Sequence, residues 1–383
     1  MSKRVLIVTR HYLDAINGGA NCSKANIRAL SELYSDCTLI YPEHGEQASA
    51  DFIPQSVNAI PCYDHRSNLE KGLDVYRGKL NRTPRFVKEH LEKNKYDVVF
   101  IDHSLTANGI IENLKKQDCK IVTIHHNNET QYLRDNKPFL LYRLPFTYYA
   151  EKAEQDALLM SDLNLTLTEK DARQFCEKYP ERNIHCHNMG TFQYRDLPAE
   201  IQDDGIRACQ TFAITGSMNF RQSQRPVIEF VERYMPLLLR KIPQAKLIVA
   251  GRDPSTSIQE TCAKHPEITL IPNPADMGAV ISQADIYVCP TNMGSGVKLR
   301  VMDGLKLGIP ILGHSVSLNG YETIKENGYF FDYDDETSFE QALECIVNLK
   351  YKKQQVYESF LSYFSFKSGK RRLQNILQRE NLL

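Results

Sequence analysis

Residues 284–313 read ADIYVCPTNMGSGVKLRVMDGLKLGIPILG. The β-branched run at 285–290 predicts a buried strand, and the run at 309–313 predicts the strand that follows it. Between the two runs, apolar residues recur at helical spacing over 297–308, where Gly308 ends the pattern. A strand, a helix and a second strand in this order form the unit from which parallel α/β sheets are built.

The same alternation occurs twice along the chain. Buried strands are predicted at 4–9, 97–102, 120–125 and 163–168, and again at 211–216, 245–251, 268–272, 285–290 and 309–313. In the first half, helical patterns are predicted at 20–34, 105–117, 138–160 and 169–179. Two successive series of this kind predict two doubly wound α/β domains, each with a parallel sheet.

The stretch 188–210 lacks clear periodicity and carries Gly, Pro and acidic residues, so it predicts the connection between the domains. We therefore expect an N-terminal Rossmann-like domain at 1–200 and a C-terminal one at 205–360. The last residues, 361–383, predict a C-terminal helix that packs back toward the N-terminal domain. The tail as a whole predicts two helices with a break near Ser368.

Composition excludes several classes of protein. The 383 residues carry 47 basic and 47 acidic side chains, so no overall positive charge favours nucleic acid. No run of about eighteen apolar residues predicts a membrane span, and the apolar run at the N-terminus is too short for a signal peptide. The ten Cys form no C-x-x-C pair. We therefore expect reduced thiols and a cytoplasmic protein.

The glycine loop of the opening stretch predicts an anion site. Gly294 and Gly296 precede a predicted helix, where free N–H groups and the helix dipole favour an anion. Lys298 and Arg300 place cations in a first turn that disfavours them unless an anion lies between them. Asp303 follows five residues after Lys298, roughly 7–8 Å along a helix, which suits the ribose of a nucleotide. The alternative is that these side chains are ordinary solvated charges.

The segment 284–313 resembles the donor site of retaining glycosyltransferases of family 4, which have the GT-B fold. The resemblance extends over about residues 1–350 and includes TIHHNNET at 123–130 and GSMNFRQSQR at 216–225. It implies two Rossmann-like domains facing a central cleft. The N-terminal domain would bind the acceptor and the C-terminal domain the nucleotide-sugar donor.

The resemblance also implies roles for single residues. The family's E-x7-E pattern falls on Ser295, at the position that approaches the donor sugar, and on Asp303, at the position that grips the ribose. For the family's arginine at the diphosphate, the segment 216–225 offers Arg221 and Arg225, and the family's lysine has no counterpart there. The catalytic residues implied are His126, Ser295, Lys298 and Arg300. The donor-binding residues implied are Gly18, Gly19, Gly216, Arg221, Arg252, Gly294, Gly296, Val297 and Asp303.

The implied reaction moves a sugar from a nucleotide diphosphate sugar to an acceptor hydroxyl with retention of configuration, in bacterial surface polysaccharide or glycan synthesis. UDP or GDP is the expected donor nucleotide, without a metal or other cofactor. Asp332-x-Asp334 resembles a metal-binding motif, but it precedes a predicted helix, where acidic residues act as N-caps. The expected acceptor is a glycan or a lipid-linked molecule. The segments 76–90 and 137–152 would then contact the inner face of the cell membrane.

Alternatives stay open at this point. A nucleotide-sugar 2-epimerase shares the fold and needs no acceptor. A catalytically inactive scaffold partner of a glycosyltransferase would explain Ser295 in the place of glutamate and the absent lysine. For the aromatic and basic segments, the alternative to membrane contact is a core helix beside a solvated face.

Overall fold

The computed structural model describes residues 3–44, 50–135, 143–202, 205–219 and 221–383, without the side chains of residues 50, 135, 143 and 221–223. The chain divides into two compact units. The first unit comprises Met1–Asp196, Gly294–Val297 and Phe364–Leu383. The second comprises Leu197–Met293 and Lys298–Tyr363.

The first unit is built on a sheet of seven parallel strands in the order β3-β2-β1-β4-β5-β6-β7. These are β1 (Arg4–Thr9), β2 (Asp36–Glu43), β3 (Val57–Tyr63), β4 (Val98–Asp102), β5 (Lys120–His125), β6 (Leu163–Thr166) and β7 (Cys186–Asn188). The order reverses between β1 and β4, and open α/β sheets bind ligands at the carboxyl ends of the strands beside such a reversal.

Helices cover the first sheet: α1 (Gly18–Leu33), α2 (Asn68–Tyr76), α3 (Thr83–Leu91), α4 (Ile111–Leu114), α5 (Glu129–Asp135), α6 (Arg143–Met160) and α7 (Glu169–Lys178). Short 3₁₀ turns lie at Ala50–Phe52 and Ser104–Ala107. Inward side chains of the central strands, such as Leu6 and Val99, pack with Val87 of α3 and Ala157 of α6 into a fully buried core. Burial of this apolar surface holds the strand ends, and therefore the loops that follow them, in fixed positions.

The second unit has six parallel strands in the order β10-β9-β8-β11-β12-β13. They are β8 (Thr211–Ser217), β9 (Lys246–Arg252), β10 (Ile268–Pro272), β11 (Ile286–Cys289), β12 (Ile311–His314) and β13 (Phe330–Tyr333). This sheet also reverses its order beside the first strand of the unit, between β8 and β11. The prediction of two doubly wound α/β domains is therefore confirmed.

The remaining helices are α8 (Arg221–Glu229), α9 (Met235–Lys241), α10 (Thr256–Ala263), α11 (Met277–Ile281), α12 (Val301–Leu305), α13 (Ser315–Leu318), α14 (Glu322–Glu326), α15 (Glu336–Val347), α16 (Lys353–Phe364) and α17 (Phe366–Arg379). A π-helical turn at Phe230–Tyr234 joins α8 to α9. Helix α17 belongs to the first unit, where the Arg28 guanidinium of α1 lies 3.7 Å from the centre of the Phe366 ring. Within the described ranges, no helix is long and apolar enough to cross a membrane.

Three helix predictions were wrong in their bounds. The helix expected at 297–308 is only Val301–Leu305, because residues 298–303 wind tightly with hydrogen bonds between residues three apart. The helix expected at 105–117 is a 3₁₀ turn followed by α4. The tail breaks at Ser365, whose Oγ caps α17, while Gly369 lies inside that helix against the Phe192 ring. The predicted helix 138–160 begins outside the described residues, and α6 covers its later part.

Candidate functional site

In the second unit, predicted donor residues meet at the carboxyl end of the first strand. Gly216 lies near the end of β8, and the Arg300 guanidinium lies against it. A β-carbon at residue 216 would lie 2.6 Å from Cζ and both terminal nitrogens of Arg300, so only glycine leaves room for this cation. Gly251 of β9 also approaches β8 closely, since a β-carbon added at residue 251 would lie 2.0 Å from the Gly216 carbonyl oxygen. The cation therefore lies at the reversal of strand order.

Asp303 occupies the first turn of α12. Its side chain is 49% exposed, and the Lys306 ammonium lies 3.7 Å from its carboxylate. Desolvation by surrounding protein atoms raises the pKa of Asp303, and the charges of Lys306 and Arg300 oppose this shift. A half-exposed carboxylate beside Arg300 can accept hydrogen bonds from hydroxyl groups of a ligand. Lys298 precedes α12 instead of lying inside it, so it does not share one continuous α-helix with Asp303 as predicted.

The loop between β11 and α12 is fixed at both ends. Ser317 Oγ donates hydrogen bonds to the carbonyl oxygens of Cys289 and Thr291, each at 3.1 Å. The Tyr321 hydroxyl donates to the Lys298 carbonyl oxygen at 3.2 Å. Arg252, the last residue of β9, is exposed and pairs in register with Ser217 of β8. It therefore lies at the same edge of the sheet as Gly216.

In the first unit, a buried carboxylate organises the carboxyl ends of β1, β4 and β5. Asp102 is fully buried at the end of β4. Its oxygens accept hydrogen bonds from Thr9 Oγ1 at 2.8 Å, Asn26 Nδ2 at 2.8 Å and the Ser23 hydroxyl. They also accept from His126 Nε2 at 3.0 Å. Burial favours the neutral acid, but His126 and the other donors hold the pKa of Asp102 below its usual value.

Three imidazoles pack around this carboxylate. The centroids of His11, His103 and His126 lie 5.2 Å from one another, with His11 stacked parallel to His126. Burial and the neighbouring histidines lower the pKa of His11 well below 6.5. Burial also lowers the pKa of His103, against the attraction of Glu129. Both rings are therefore neutral at neutral pH.

The tautomers of two rings follow from their partners. His103 Nδ1 accepts from the Leu105 amide at 3.1 Å, so its proton is on Nε2, which lies 3.1 Å from Glu129 Oε1. Asp102 can only accept, so His126 carries its proton on Nε2. His126 Nδ1 is buried and has no hydrogen-bond partner among the described residues. It can accept a hydrogen bond from a hydroxyl group that enters the site.

Glu129 is held at the start of α5. Its amide donates to the buried Glu154 carboxylate at 2.5 Å, and Thr130 Oγ1 donates to the same group at 2.5 Å. Asn127 Nδ2 donates to Glu129 Oε1 at 3.0 Å. Burial raises the pKa of Glu129, but His103 and the hydrogen bonds to it outweigh this and lower its value to about 2. The sequence pattern H-N-x-E therefore forms one connected group with His103.

Gly18 and Gly19 begin α1, and the Asn17 side chain caps that helix. A β-carbon on Gly19 would lie 2.4 Å from His11 Cε1, so this glycine makes room for an imidazole of the cluster. The pair was predicted to lie beside the donor diphosphate. The described contact gives Gly19 a role in packing His11, and the place beside the diphosphate stays a prediction.

Residues 294–297 belong to the first unit. Ser295 Oγ donates to the Asn128 carbonyl oxygen at 3.0 Å. Gly294 and Gly296 have positive φ angles of 91° and 68°, which favour glycine. A β-carbon on Gly296 would lie 2.0 Å from Asn127 Oδ1. Val297 is half-buried at the end of this segment.

Several residues of the two candidate sites were not predicted from the sequence. Arg10 and His11 follow β1 directly, and polar side chains after a first strand could have indicated them. Glu154 lies inside a helical pattern, where nothing in the sequence distinguishes it from a surface acid. The predicted side chain of Arg221 lies outside the described residues.

The described residues include no group of three His, Cys, Asp or Glu side chains arranged for a metal ion. In the D-x-D segment, Asp332 pairs with Lys325 at 2.6 Å, and Asp334 accepts a hydrogen bond from Ser315. The N-cap of α15 is Asp335, whose side chain accepts from the Ser338 amide at 2.8 Å. This segment therefore has partners within the protein.

Comparison with known proteins finds similarity to glycosyltransferases. A model of the family described as glycosyl transferases group 1 matches residues 209–348. No curated protein matches the sequence.

Solved structures share the fold across the whole chain. The lipopolysaccharide outer core galactosyltransferase WaaB is similar with a TM-score of 0.65 and 11% identity, covering 98% of this chain and 99% of that chain. HepE of Anabaena in complex with UDP-glucose has a TM-score of 0.63 and 9% identity, covering 98% and 100%. WaaG, a glycosyltransferase involved in lipopolysaccharide biosynthesis, has a TM-score of 0.60 and 15% identity, covering 97% and 99%. These are glycosyltransferases of the GT-B fold, as the sequence predicted.

Proposed function

We propose that the chain transfers a sugar from a nucleotide diphosphate sugar to an acceptor hydroxyl, with retention of configuration and without a metal. The observation that carries this proposal is the Arg300 guanidinium held over Gly216, with Asp303 beside it. Both residues lie within the part of the chain that the family model matches, 209–348. A cation close to the backbone at the carboxyl end of a parallel sheet suits the diphosphate of a nucleotide.

The second unit binds the donor in this proposal. Arg300 and Lys298 neutralise the diphosphate, and Asp303 accepts hydrogen bonds from the ribose hydroxyls. Gly216 and Arg252 line the same edge of the sheet, and Arg221 lies at the start of α8, which follows β8. UDP or GDP is the donor nucleotide that we propose. The complex of HepE with UDP-glucose supports UDP.

Chemistry requires stabilisation of the leaving diphosphate, because departure of an oxocarbenium-like sugar leaves a dianionic phosphate. Lys298, Arg300 and the amides of Gly294–Gly296 would supply this stabilisation. Loss of one such contact typically raises the barrier by about 3 kcal/mol. The negative charge is then balanced by side chains and backbone dipoles of the chain itself.

His126 orients the transferred sugar in this proposal. The ring is fixed by Asp102 through Nε2, and Nδ1 is buried with no partner among the described residues. A buried acceptor of this kind is costly unless a ligand donates to it, which supports a hydroxyl group of the sugar as its partner. Ser295 stands where the related family has glutamate and would contact the donor through its hydroxyl or its amide.

We further propose a glycan or lipid-linked acceptor at the inner face of the cell membrane, in the synthesis of a bacterial surface polysaccharide. The similarity to WaaB, a lipopolysaccharide outer core galactosyltransferase, and to WaaG, which is involved in lipopolysaccharide biosynthesis, supports this class of acceptor. Flotation of the protein with liposomes of anionic and of neutral lipids tests the membrane location. Absence from the floated fraction at low salt would contradict it.

A thermal-shift screen with UDP, GDP, CDP, ADP, dTDP and CMP tests the donor site. A nucleotide at 100 times its dissociation constant adds about 2.7 kcal/mol to the free energy of unfolding. We expect one nucleotide to shift the wild type and to lose this effect in Asp303→Ala. A shift of equal size in both proteins would contradict the ribose role of Asp303, and no shift with any nucleotide would contradict the donor site.

A further inference from the structure

We infer that a cationic pocket in the first unit binds a phosphate group of the acceptor. The pocket has a volume of about 270 Å³ and lies at the carboxyl ends of β1, β2 and β3. It extends from residue 10, directly after β1, to the segment between β3 and α3. The inference rests on the proposed function, because it names the chemical class of the second substrate.

The lining of the pocket is strongly positive. Five cationic side chains line it, against the single carboxylate of Asp64, and these are Arg10, Arg66, Lys71, Lys79 and Arg82. Asp74 pairs with Arg66 just outside the lining, so five cations face two carboxylates. The resulting excess of three positive charges, in a chain with no net charge, indicates a site for an anion. The excess is concentrated at the sheet edge where α/β proteins bind ligands.

Two of the cations are held in place within the unit. Asp64 accepts hydrogen bonds from Arg66 Nε at 3.0 Å and from Arg82 Nη1 at 2.8 Å. Arg66 Nη1 also donates to Asp74 at 2.7 Å. Hydrogen bonds from the side chain and the amide of Arg66 outweigh burial and hold the pKa of Asp64 well below its usual value, so the carboxylate is charged. The arginines are thus oriented before any ligand enters, which lowers the entropic cost of binding.

The other three cations are less completely paired, although the charges of Glu129 and Asp74 act on Arg10 and Lys79. Nη1 of Arg10 is buried without a hydrogen-bond partner among the described residues. Lys71 is 3.9 Å from Asp64, beyond hydrogen-bond distance, and the described contacts give the Lys79 ammonium no carboxylate. Unsatisfied guanidinium and ammonium groups around one pocket match the three acceptor oxygens of a phosphate group.

Exposed apolar side chains lie beside the pocket, and they indicate which kind of molecule could carry the phosphate. Leu69, Leu73 and Tyr76 lie at helical spacing on α2 and are 76%, 47% and 55% exposed. Helix α2 contacts α6, on which Leu144 and Tyr148 are also exposed. A lipid that carries the phosphate could cover these side chains, whereas a soluble sugar phosphate would leave them bare. The phosphate chemistry is common to both sources.

Titration calorimetry without nucleotide tests the pocket directly. The probes are glucose 1-phosphate and inorganic pyrophosphate, with glucuronate and glucose as the carboxylate and neutral comparisons. Vesicles of phosphatidylcholine, with and without phosphatidic acid, form the lipid arm. We expect a phosphate probe or the phosphatidic acid vesicles to bind, and Lys79→Gln to weaken that binding about tenfold or more.

Lys88→Gln is the matched control, because Lys88 is exposed on α3 and does not line the pocket. Lys79→Gln breaks no described ion pair, so it tests the pocket even if substitution of Arg82 unfolds the protein. Binding of the soluble probe identifies a soluble acceptor, and binding of the vesicles alone identifies a lipid phosphate. No binding in either arm, equal binding by both lysine variants, or a preference for glucuronate would overturn the inference.

The donor screen separates this inference from the proposed function. If a nucleotide binds through Asp303 while no phosphate probe binds, the pocket assignment fails and the proposed function stands. If a phosphate probe binds through Lys79 while no nucleotide binds, the proposed function fails, and the assignment of the phosphate to an acceptor fails with it.

Discussion

The Arg300 guanidinium lies over Gly216, so close that a β-carbon at residue 216 would be 2.6 Å from it. Gly216→Ala must therefore displace Arg300. We expect the affinity for the donor nucleotide to fall by about 10- to 100-fold, the effect of one or two charge-assisted hydrogen bonds. Calorimetric titration with the nucleotide identified in the screen measures this loss.

Gly72→Ala is the control for this substitution. Gly72 lies in α2 of the first unit, and a β-carbon there would contact nothing within 4 Å. Alanine also favours a helix more than glycine does, so stability should not fall. Equal nucleotide affinity in Gly216→Ala and Gly72→Ala would show that Arg300 does not contact the donor.

Asp102→Asn tests the positioning of His126. The change removes the charge that fixes the Nε2 proton, while asparagine keeps nearly the same shape. We expect turnover to fall by about 10- to 100-fold and nucleotide affinity to stay unchanged, since neither Asp102 nor His126 is among the proposed nucleotide contacts. Asp36→Asn, at the opposite end of the first sheet, is the control. A parallel loss of nucleotide affinity would point to a general structural effect instead.

The buried histidines predict a loss of stability in mild acid. Burial lowers the pKa of His125 from 6.5 to about 4, and the pKa values of His11 and His103 are lowered as well. The unfolded chain then binds protons first, so the free energy of unfolding falls as the pH drops below about 6.5. The shift of His125 alone lowers the free energy of unfolding by on the order of 3 kcal/mol between about pH 6.5 and about pH 4, at about 1.4 kcal/mol per pKa unit.

Urea unfolding at a series of pH values measures this dependence, and His125→Gln should reduce its slope. The carboxylates of Asp102 and Glu129 have lowered pKa values, so they stabilise the folded chain while they are ionised. This stabilisation is lost only when the pH falls below the ordinary pKa values of Asp and Glu, which is below the range in which the histidines act. An unfolding free energy that is constant between about pH 6.5 and about pH 4.5 would show that these rings are not buried as neutral groups.

Gly19→Ala tests the packing of the histidine cluster. Its β-carbon would lie 2.4 Å from His11 Cε1, so the imidazole or the helix must move. Overpacking of this kind typically costs about 1–3 kcal/mol of stability. Thermal or urea unfolding of Gly19→Ala, compared with Gly72→Ala, provides the measurement. Stability equal to that of the wild type would mean that His11 can leave its position freely.

Most strands at the centre of each sheet were predicted from the sequence, but the buried strand β2 was not. Strand β1 was found at its predicted bounds because both of its faces are apolar. Strand β3 was missed because Pro61 interrupts a short and partly exposed run. The helix that contains Asp303 was predicted too long, because apolar spacing alone does not distinguish the tight turns of residues 298–303 from an α-helix. The spacing also does not show that Gly304 packs against Tyr287. Such close approaches depend on residues from other elements.

The candidate site was predictable only where its residues are adjacent in the sequence. The glycine loop, Lys298, Arg300 and Asp303 follow one strand, and their spacing indicated an anion site. The histidine cluster brings together residues of three loops that are far apart in the sequence. His103 also has a left-handed φ of 76°, which the presence of a histidine at that position does not predict. The cationic pocket likewise draws on two loops separated by more than fifty residues.

The most direct test of the account is the rate at which the protein releases nucleoside diphosphate from the nucleotide sugar that it binds, measured with a chelator present. We expect turnover by the wild type, and a loss of at least about 100-fold in Lys298→Ala, because the leaving diphosphate loses one cation. A nucleotide sugar that binds but is never cleaved, or Lys298→Ala at the wild-type rate, would contradict the account.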